Sequence, residues 1–456
     1  MERLIHLGNG SNAKIIKTFA SRCISCIITH MGNTIYRAML ISPMSPERVR
    51  VFRDGAIVVK DGKIVEVGEF AKITGKDKKA KILHFKEKVI IPGLIDCHLH
   101  LPQLDQRGKH GLSLLGWLQR YIFPSEAAFA DTKMAEDVIK RFFKKLILNG
   151  TTTAVTYLTI HKESADIAFE IGERVGLKLL MGKVMMDQNS PRALLEKTDV
   201  SIKESLELYE KWDGRGNGRL RYVFTPRFAP TCSERMWHEI GEILRQRDAY
   251  LQTHIAETED EVRLVKKLFP RYKNYADLID KNGCLGKKTL LAHAIYLSEP
   301  EWRLLKERDA AIVHCPSSNL FLKSGRMRVE KVEGYGIRYA LGTDVGAGTS
   351  FSLFSVMRCA DYIQPKITIT PTKAFYLATL GGAKALSLDK SSGSLDKGKD
   401  ADFCVVDIKG IDPRYEIQEL DAHEILSLLM YRGRGEVIEK VFVRGKELDV
   451  DSSAFG

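Results

Sequence analysis

Three histidines and one aspartate lie in short apolar runs and have the chemistry of metal ligands. His98 and His100 lie in LIDCHLH, His254 lies in AYLQTHI, and Asp344 ends IRYALGTD. Alternate side chains of a strand share a face, so His98 and His100 can hold one metal ion together. With His254 and Asp344 the set offers three nitrogens and one oxygen. Such a set suits one zinc ion per chain, with iron or manganese as alternatives, and leaves a position for water.

Two further polar residues stand close to these runs. Glu257 follows His254 by three residues, so it can reach a water on the metal without being a ligand, which favours a proton shuttle. The alternative is that Glu257 only begins a helix, because acidic side chains favour that end of the helix dipole. His293 closes the run KTLLAHA. A place at a strand end favours a role in orienting a ligand or stabilising an oxyanion.

Other residues with ligand chemistry fit this site less well. His314, in VHCPSSN, is left out because four ligands are already present. Lys183 could bridge two metals only as a carboxylated lysine, and its setting in LMGKVMMD favours a single metal. Cys23 and Cys26, with His30 following, have half the pattern of a zinc or redox site. Without a second pair at suitable spacing, coincidence is the preferred interpretation.

Short β-branched runs alternate along the chain with longer segments of helical period. One such segment, AEDVIKRFFKKLILNG, has its apolar residues on one face and ends at Asn149-Gly150. Eight strands, each followed by a helix, predict a (β/α)8 TIM barrel, whose functional groups lie at the carboxyl ends of the strands. The predicted strands are KVIIPGLID from Lys88, TTTAVTYL from Thr151, LKLLMGKVMMD from Leu177, RLRYVFTP from Arg219, AYLQTHI from Ala249, KTLLAHA from Lys288, AAIVHCP from Ala310 and IRYALGTD from Ile337.

Both ends of the chain carry strand patterns with tight turns. Residues 51–68 alternate apolar and polar side chains around Asp61-Gly62, which predicts a hairpin. Residues 393–407 and 438–448 predict further strands with glycine-containing turns. The two ends together predict a small β-sandwich domain. Its segments are 33–87 and 386–450, and the catalytic barrel takes residues 88–385.

The first 32 residues have a composition of their own. They contain four Lys or Arg and a single acid, Glu2. Three interpretations stay open: an organellar transit peptide, an upstream extension of unknown role, or a start assigned too early, with Met31 or Met44 as the true first residue.

The composition excludes several classes of protein. With 44% hydrophobic and 28% charged residues, the chain is neither disordered nor collagen-like nor a coiled coil. No apolar run reaches the ~18 residues of a membrane helix. The net charge is 70 − 58 = +12 without blocks of like charge, which favours a solvated basic surface over nucleic-acid binding. Scattered cysteines favour a reducing cytoplasmic location, with an organelle as the alternative if the basic stretch is a transit peptide.

The motifs, taken in order, resemble a known family. PGLIDCHLH, followed by His254, His293 and Asp344, is similar to the single-metal aminohydrolases of the amidohydrolase superfamily. The chain from about residue 35 to about 448 resembles the guanine deaminase family. The other zinc deaminase signature, His-x-Glu with Pro-Cys-x-x-Cys, is absent, which excludes that fold. The motifs that carry the closer resemblance are Gln103, LLGWLQRYIFPSE at 114–126, TPRFAPTCSE at 225–234, HCPSSNLFLKSG at 314–325 and GTDVGAGTSFSL at 342–353.

The resemblance implies hydrolysis of guanine to xanthine and ammonia by a homodimer, on the four metal ligands given above. Gln103, Arg227 and Phe228 match the residues that hold the purine in that family. The Arg227 fork can donate to a purine carbonyl, Phe228 offers an aromatic wall, and Gln103 offers both a donor and an acceptor. The alternative for Arg227 and Phe228 is a loop salt bridge beside a core aromatic.

The resemblance also implies a mechanism. The metal makes hydroxide available for attack on C2, and Asp344 accepts the proton. Glu257 carries protons to the ring nitrogen and the leaving amine, and His293 stabilises the oxyanion. Cys97 stands where the family usually has Thr, with its side chain expected to point away from the metal. The alternatives are a related enzyme acting on 8-oxoguanine, another purine or a triazine, and an inactive scaffold, against which the intact ligands argue.

Overall fold

The computed structural model describes residues 32–73 and 80–456 of the chain, so the predictions made for residues 1–31, the cysteine pair included, lie outside the described residues. The strands are β1 Thr34–Ser45, β2 Arg48–Lys60, β3 Lys63–Glu69, β4 Lys81–Pro92, β5 Leu94–His100, β6 Thr151–Tyr157, β7 Lys178–Gly182, β8 Val184–Met185, β9 Leu220–Pro226, β10 Tyr250–Ile255, β11 Thr289–His293, β12 Ala311–His314, β13 Arg338–Leu341, β14 Phe403–Val406, β15 Ile438–Val443 and β16 Lys446–Glu447.

Helices follow most of the strands. They are α1 Phe70–Ile73, α2 Leu114–Trp117, α3 Phe123–Ala127, α4 Thr132–Leu148, α5 Lys162–Val175, α6 Thr198–Trp212, α7 Glu234–Gln246, α8 Glu259–Leu268, α9 Tyr275–Lys281, α10 Glu299–Glu307, α11 Pro316–Phe321, α12 Val329–Gly334, α13 Leu353–Tyr362, α14 Pro371–Leu377, α15 Leu380–Ala385 and α16 Ala422–Arg432. None of those in the described ranges is long and apolar enough to cross a membrane.

Eight parallel strands of the described chain form a nearly closed barrel. Their order is β5, β6, β7, β9, β10, β11, β12, β13, and β8 adds a short extension beside β9. The circle closes just past the end of β13, where the Asp344 N–H donates to the His98 carbonyl at 2.8 Å. One step further, the His100 N–H donates to the Val345 carbonyl at 2.6 Å. The closing seam therefore runs between residues that the sequence assigns to the metal site.

The strand predicted from Lys88 is two strands, which corrects the prediction. Residues up to Pro92 belong to β4, which pairs with β1 and β14 outside the barrel, and the barrel strand β5 begins at Leu94. Gly93 separates them. A Cβ at Gly93 would lie 2.1 Å from the Thr152 hydroxyl oxygen, so only glycine lets the chain pass this close to β6. The other seven predicted runs each contain a barrel strand.

The remaining strands form one mixed sheet that joins both ends of the described chain. Its order is β16-β15-β14-β4-β1-β2-β3, with β14 antiparallel to β4 and β1 parallel to it. The hairpin between β2 and β3 turns at Asp61 and Gly62, whose φ angles of 49° and 77° are those of a tight turn. The fold class predicted from the sequence, a TIM barrel with a small β-sandwich domain formed from the two terminal segments, is confirmed by the nearly closed barrel and the separate mixed sheet.

Helix α4 shows how the sequence pattern builds the shell of the barrel. Its N-cap Asp131 accepts hydrogen bonds from the backbone N–H groups of Lys133 and Met134. Its apolar side chains are buried against the strands, as predicted, and the helix ends at Asn149 before the left-handed Gly150. The buried face consists of Val138, Ile139, Phe142, Phe143, Leu146 and Ile147.

Candidate active site

A pocket opens at the carboxyl ends of the barrel strands, which is where TIM barrels place their functional sites. One wall is polar and comes from the strand ends. The other is largely apolar and comes from the helical turns after β5 and the loops after β12 and β13. The lining residues are His100, Gln103, Leu114, Trp117, Leu118, Arg227, Phe228, His254, Glu257, His293, Leu322, Asp344 and Ala347.

The four residues predicted as metal ligands converge at the floor of this pocket. Asp344 Oδ1 lies 3.2 Å from His98 Nε2 and 3.3 Å from His100 Nε2. His100 Nε2 and His254 Nε2 are 3.2 Å apart. The ligand atoms of His98, His100 and Asp344 all lie within 4.8 Å of one another, and so do those of His98, His254 and His293. The structure thus brings together residues that are up to 246 positions apart in the chain.

The protonation of these groups suits a metal ion. Burial lowers the pKa of His98, that of His100 to about 3, and that of His254 well below its ordinary value, so the imidazoles are neutral. Burial acts to raise the pKa of Asp344, but the neighbouring imidazoles outweigh it and lower that pKa well below its usual range. Buried His98 Nε2 makes no hydrogen bond to any described residue. Neutral imidazoles around a carboxylate, with an unsatisfied nitrogen aimed at it, are what a divalent metal requires.

The backbone of Arg227 orients one of these imidazoles. His254 Nδ1 lies 2.7 Å from the Arg227 carbonyl oxygen, which can only accept a hydrogen bond. The proton of His254 is therefore on Nδ1, and Nε2 presents its lone pair to the pocket. Tyr157 packs beside the same group, with its ring centroid 4.5 Å from His100 and 4.8 Å from His254.

His293 and Glu257 lie beside the ligand cluster. His293 Nε2 is 3.6 Å from Glu257 Oε2 and 3.8 Å from Asp344 Oδ2, and its Nδ1 contacts Asn319 Oδ1 at 2.9 Å. Burial raises the pKa of Glu257, although Ser324 donates a hydrogen bond of 2.7 Å to its Oε1. His293 and Asp344 both have left-handed backbones, with φ of 72° and 51°, a conformation that costs free energy for residues other than glycine and is often found at functional sites.

The three residues predicted to hold a purine belong to the pocket lining. Gln103, Arg227 and Phe228 are 2%, 3% and 6% exposed, and all three line the pocket. Arg227 does make a buried ion pair, with Glu126, and it also belongs to the pocket lining. Phe228 packs near His254, with ring centroids 6.5 Å apart.

The residues set aside in the sequence lie apart from this cluster. His314 is buried on β12 and is not among the converging groups of the described chain. Lys183 pairs with Glu196 and lies 3.5 Å from Glu204, so its amine serves a buried ion pair. Cys315, for which the sequence predicts no role, is close enough to His293 and Asp344 to be a ligand. Burial raises the pKa of its thiol well above the ordinary value.

Three residues of the site have no role in the sequence predictions. Glu126 holds Arg227 and Gln103, Asn319 contacts His293, and Asp96 accepts hydrogen bonds from the Thr343 backbone and hydroxyl at 3.0 and 2.6 Å. Glu126 and Asn319 lie on helical turns, so a search confined to strand ends does not find them. Both lie within the family motifs given above, at 114–126 and 314–325. Membership of these motifs was the feature of the sequence that could have identified them.

Comparison with known proteins agrees with this fold. Residues 89–448 match the model of the Amidohydrolase family. The chain therefore belongs to the amidohydrolase family and is a hydrolytic enzyme.

The chain is similar to bacterial guanine deaminases. The guanine deaminase of Escherichia coli K12 is 37% identical over 374 residues, which cover 80% of this chain and 84% of the relative. The E. coli guanine deaminase structure superposes with a TM-score of 0.88 at 33% identity, covering 92% of this chain and all of that one. The C. acetobutylicum guanine deaminase, with guanine bound in its active site, gives 0.86 at 33% identity and the same coverage.

Proposed function

We propose that this enzyme hydrolyses guanine to xanthine and ammonia, using one zinc ion per chain. The observation that carries the proposal is the pocket itself, in which converging imidazoles and a carboxylate face Gln103, Arg227 and Phe228. The similar guanine deaminases support guanine as the substrate, because one of them holds guanine in its active site.

His98, His100, His254 and Asp344 are the proposed ligands. Their nitrogen and oxygen atoms suit zinc. His293 is placed outside this set because its Nε2 is 3.6 and 3.8 Å from two carboxylates, whereas the ligand contacts are 3.2 to 3.3 Å. When bound, the metal supplies Lewis-acid activation of water at neutral pH.

Gln103, Arg227 and Phe228 orient the purine. The guanidinium of Arg227 donates hydrogen bonds to the ring carbonyl, and the Gln103 amide offers a donor and an acceptor to the ring edge. Phe228 supplies an aromatic surface for the base. These contacts place C2, the purine carbon that carries the amino group, next to the proposed metal ligands. The apolar side chains of Trp117 and Leu118 exclude bulk water from the pocket.

Protons move between Asp344, Glu257 and the substrate. Asp344 takes one proton of the attacking water, and Glu257, buried and within reach of His293, gives its own proton to the ring nitrogen. Glu257 then takes the proton of the new C2 hydroxyl and passes it to the departing amine as the C2–N bond breaks and the C2 carbonyl forms. The proton held by Asp344 finally restores Glu257. His293 stabilises the negative charge that develops as the C2 centre becomes tetrahedral. Each group keeps the role expected from the sequence.

The test is conversion of guanine followed by ultraviolet absorbance, with the product identified by chromatography. Purified protein is expected to produce xanthine and ammonia in equal amounts. Protein stripped by a chelator should lose this activity, and one equivalent of Zn²⁺ per chain should restore it. Zinc-loaded protein that leaves guanine unchanged would reject the proposal and direct the search to other purines and triazines. The homodimer stays a prediction of the family resemblance, and the cytoplasmic location stays a prediction from the scattered cysteines.

A further inference from the structure

Glu126 lies directly behind the polar wall of the pocket. Its side chain is 2% exposed, and it does not line the pocket itself. Its Oε1 accepts hydrogen bonds from Gln103 Nε2 at 3.0 Å and from Arg227 Nη1 at 2.8 Å. Its Oε2 lies 2.6 Å from the same Arg227 nitrogen. One buried carboxylate therefore holds both polar residues that face the purine.

These contacts fix the orientation of both side chains. The Gln103 amide donates to Glu126 on one side and, on the other, its oxygen accepts from the Gly346 N–H at 3.3 Å. This arrangement settles which end of the amide is the oxygen and leaves one N–H for a ligand. Arg227 uses Nη1 for Glu126, so Nη2 and Nε are the guanidinium nitrogens left to donate into the pocket.

The same carboxylate also neutralises the pocket wall. A guanidinium stays charged in proteins, and a buried one without a partner attracts anions strongly. Arg227 is 3% exposed, and its described carboxylate partner within ion-pair distance is Glu126. The wall thus presents directed hydrogen-bond donors with little net charge. Such a wall fits the carbonyl of a neutral purine better than the spread charge of a purine anion.

We propose that Glu126 is a positioning residue that makes this pocket selective for neutral purine bases over purine anions. The proposal rests on the proposed function, since it assumes that the pocket binds a purine. Glu126 acts through Gln103 and Arg227 and does not itself touch the substrate. Its loss changes which purines bind as well as how tightly they bind.

The experiment compares two ligands at equilibrium on the zinc-loaded enzyme at pH 7. Hypoxanthine is neutral, carries the ring carbonyl and lacks the 2-amino group, so it binds without being deaminated. Urate is an anion of similar shape. In Glu126→Gln, which keeps the size of the side chain and removes its charge, hypoxanthine affinity is expected to fall about tenfold or more. Urate affinity should stay constant or rise, so the ratio of the two shifts by at least about tenfold.

The matched control is Glu196→Gln, which removes the charge of another buried carboxylate paired with a buried cation, Lys183, away from the pocket. It is expected to keep the wild-type affinity ratio. Glu126→Asp retains the charge with a shorter arm, and it should weaken both ligands while keeping the wild-type ratio. If Glu126→Gln does not fold, the ratio of hypoxanthine to urate affinity is compared among the wild type, Glu126→Asp and Arg227→Gln instead. Arg227→Gln leaves the Glu126 carboxylate without its cation, so it should weaken urate binding more than hypoxanthine binding. An equal loss of affinity for the two ligands would overturn the proposal.

The outcomes separate this proposal from the function on which it rests. Wild-type enzyme that binds neither base would overturn the purine site and, with it, the role of Glu126. Wild-type enzyme that binds hypoxanthine, while Glu126→Gln weakens both ligands by the same factor, would overturn the role of Glu126 alone. In steady-state assays with guanine, the proposal expects a larger rise in KM than fall in kcat.

Discussion

Glu257 offers the sharpest test of the chemistry at the scale of single residues. It is buried, lies 3.6 Å from His293 and accepts one hydrogen bond from Ser324. Replacing it with Gln keeps the shape and removes the proton that it can carry. We expect kcat to fall about 10²- to 10⁴-fold with the zinc content unchanged, measured by steady-state kinetics and elemental analysis. The control is Glu259→Gln, two residues away and exposed, which should keep the wild-type rate.

The metal ligands can be tested against a histidine that the site does not use. His100→Ala removes a proposed ligand, and we expect the bound zinc to fall below one tenth of an equivalent per chain after dialysis, with activity lost in parallel. His314→Ala removes a histidine that is equally buried but not among the converging groups of the described chain. The His314→Ala variant should retain one equivalent of zinc per chain. Zinc loss in both variants alike would contradict the assigned ligand set.

The proposed ligands could be picked out from the sequence because each lies at or just past a strand end, and the strand ends of a barrel meet at one face. His98 and His100 needed only the alternation of side chains. Glu126 was not predictable in this way. It comes from a short helix after β5, and its partner Arg227 lies 101 positions further along the chain. Only packing in three dimensions brings an isolated glutamate in a helical turn to an arginine at a strand end.

At the scale of elements, a buried lysine joins the barrel to the C-terminal segment. Lys178, the first residue of β7, lies 2.5 Å from Asp400 Oδ2 and 2.9 Å from the Ser392 hydroxyl, and it also contacts Asp402. Lys178→Met would leave two buried carboxylates without this partner, and we expect a loss of about 3–5 kcal/mol in the free energy of unfolding, measured in urea.

Two further variants make this prediction specific. Lys178→Arg keeps the charge and should lose less stability than the Met variant. Lys203→Met removes an exposed lysine, with 77% of its side chain accessible, and should change stability by no more than about 0.5 kcal/mol. A Lys178→Met protein as stable as Lys203→Met would show that the buried contacts of Lys178 contribute nothing net.

The elements themselves were mostly predictable, since β-branched runs and helical periods alternate clearly. The division between β4 and β5 was not. Val89 and Ile90 have the same apolar character as Leu94 and Ile95. Yet Val89 and Ile90 hydrogen-bond within the small sheet, whereas Leu94 and Ile95 belong to the barrel. A run of hydrophobic residues predicts that the segment is buried but not which sheet it joins. Only the close approach of Gly93 to Thr152 marks the passage from the small sheet to the barrel.

On the scale of the whole molecule, the small sheet and the barrel share one hydrophobic core. The cluster that contains Phe142 and Trp302 of the helical shell also contains Met39, Val89 and Val441 of the small sheet. Because the two parts bury apolar surface against each other, neither is expected to retain its packing when the other unfolds. The site at the closing seam of the barrel therefore depends on both ends of the chain.

The junction between these parts also predicts how the molecule responds to acid. Burial acts to raise the pKa of Asp400, but Lys178 and Lys63 outweigh it and lower that pKa from 3.8 to about 2. Between these values the unfolded chain binds more protons than the folded one, so stability rises with pH in this window. The contribution of Asp400 is thus complete above about pH 5 and is lost as the pH falls toward 2.

Asp400→Asn removes this titration, so its free energy of unfolding should fall less steeply than that of the wild type from pH 5 to pH 3. We expect the variant to be the less stable protein at pH 7, with the difference narrowing as the pH falls, measured by urea unfolding at each pH. Asp199→Asn alters a carboxyl that is 71% exposed, and its curve should run parallel to the wild type. If the Asp400→Asn curve were also parallel, the acid response would have to come from other carboxylates than those that join the barrel to the C-terminal segment.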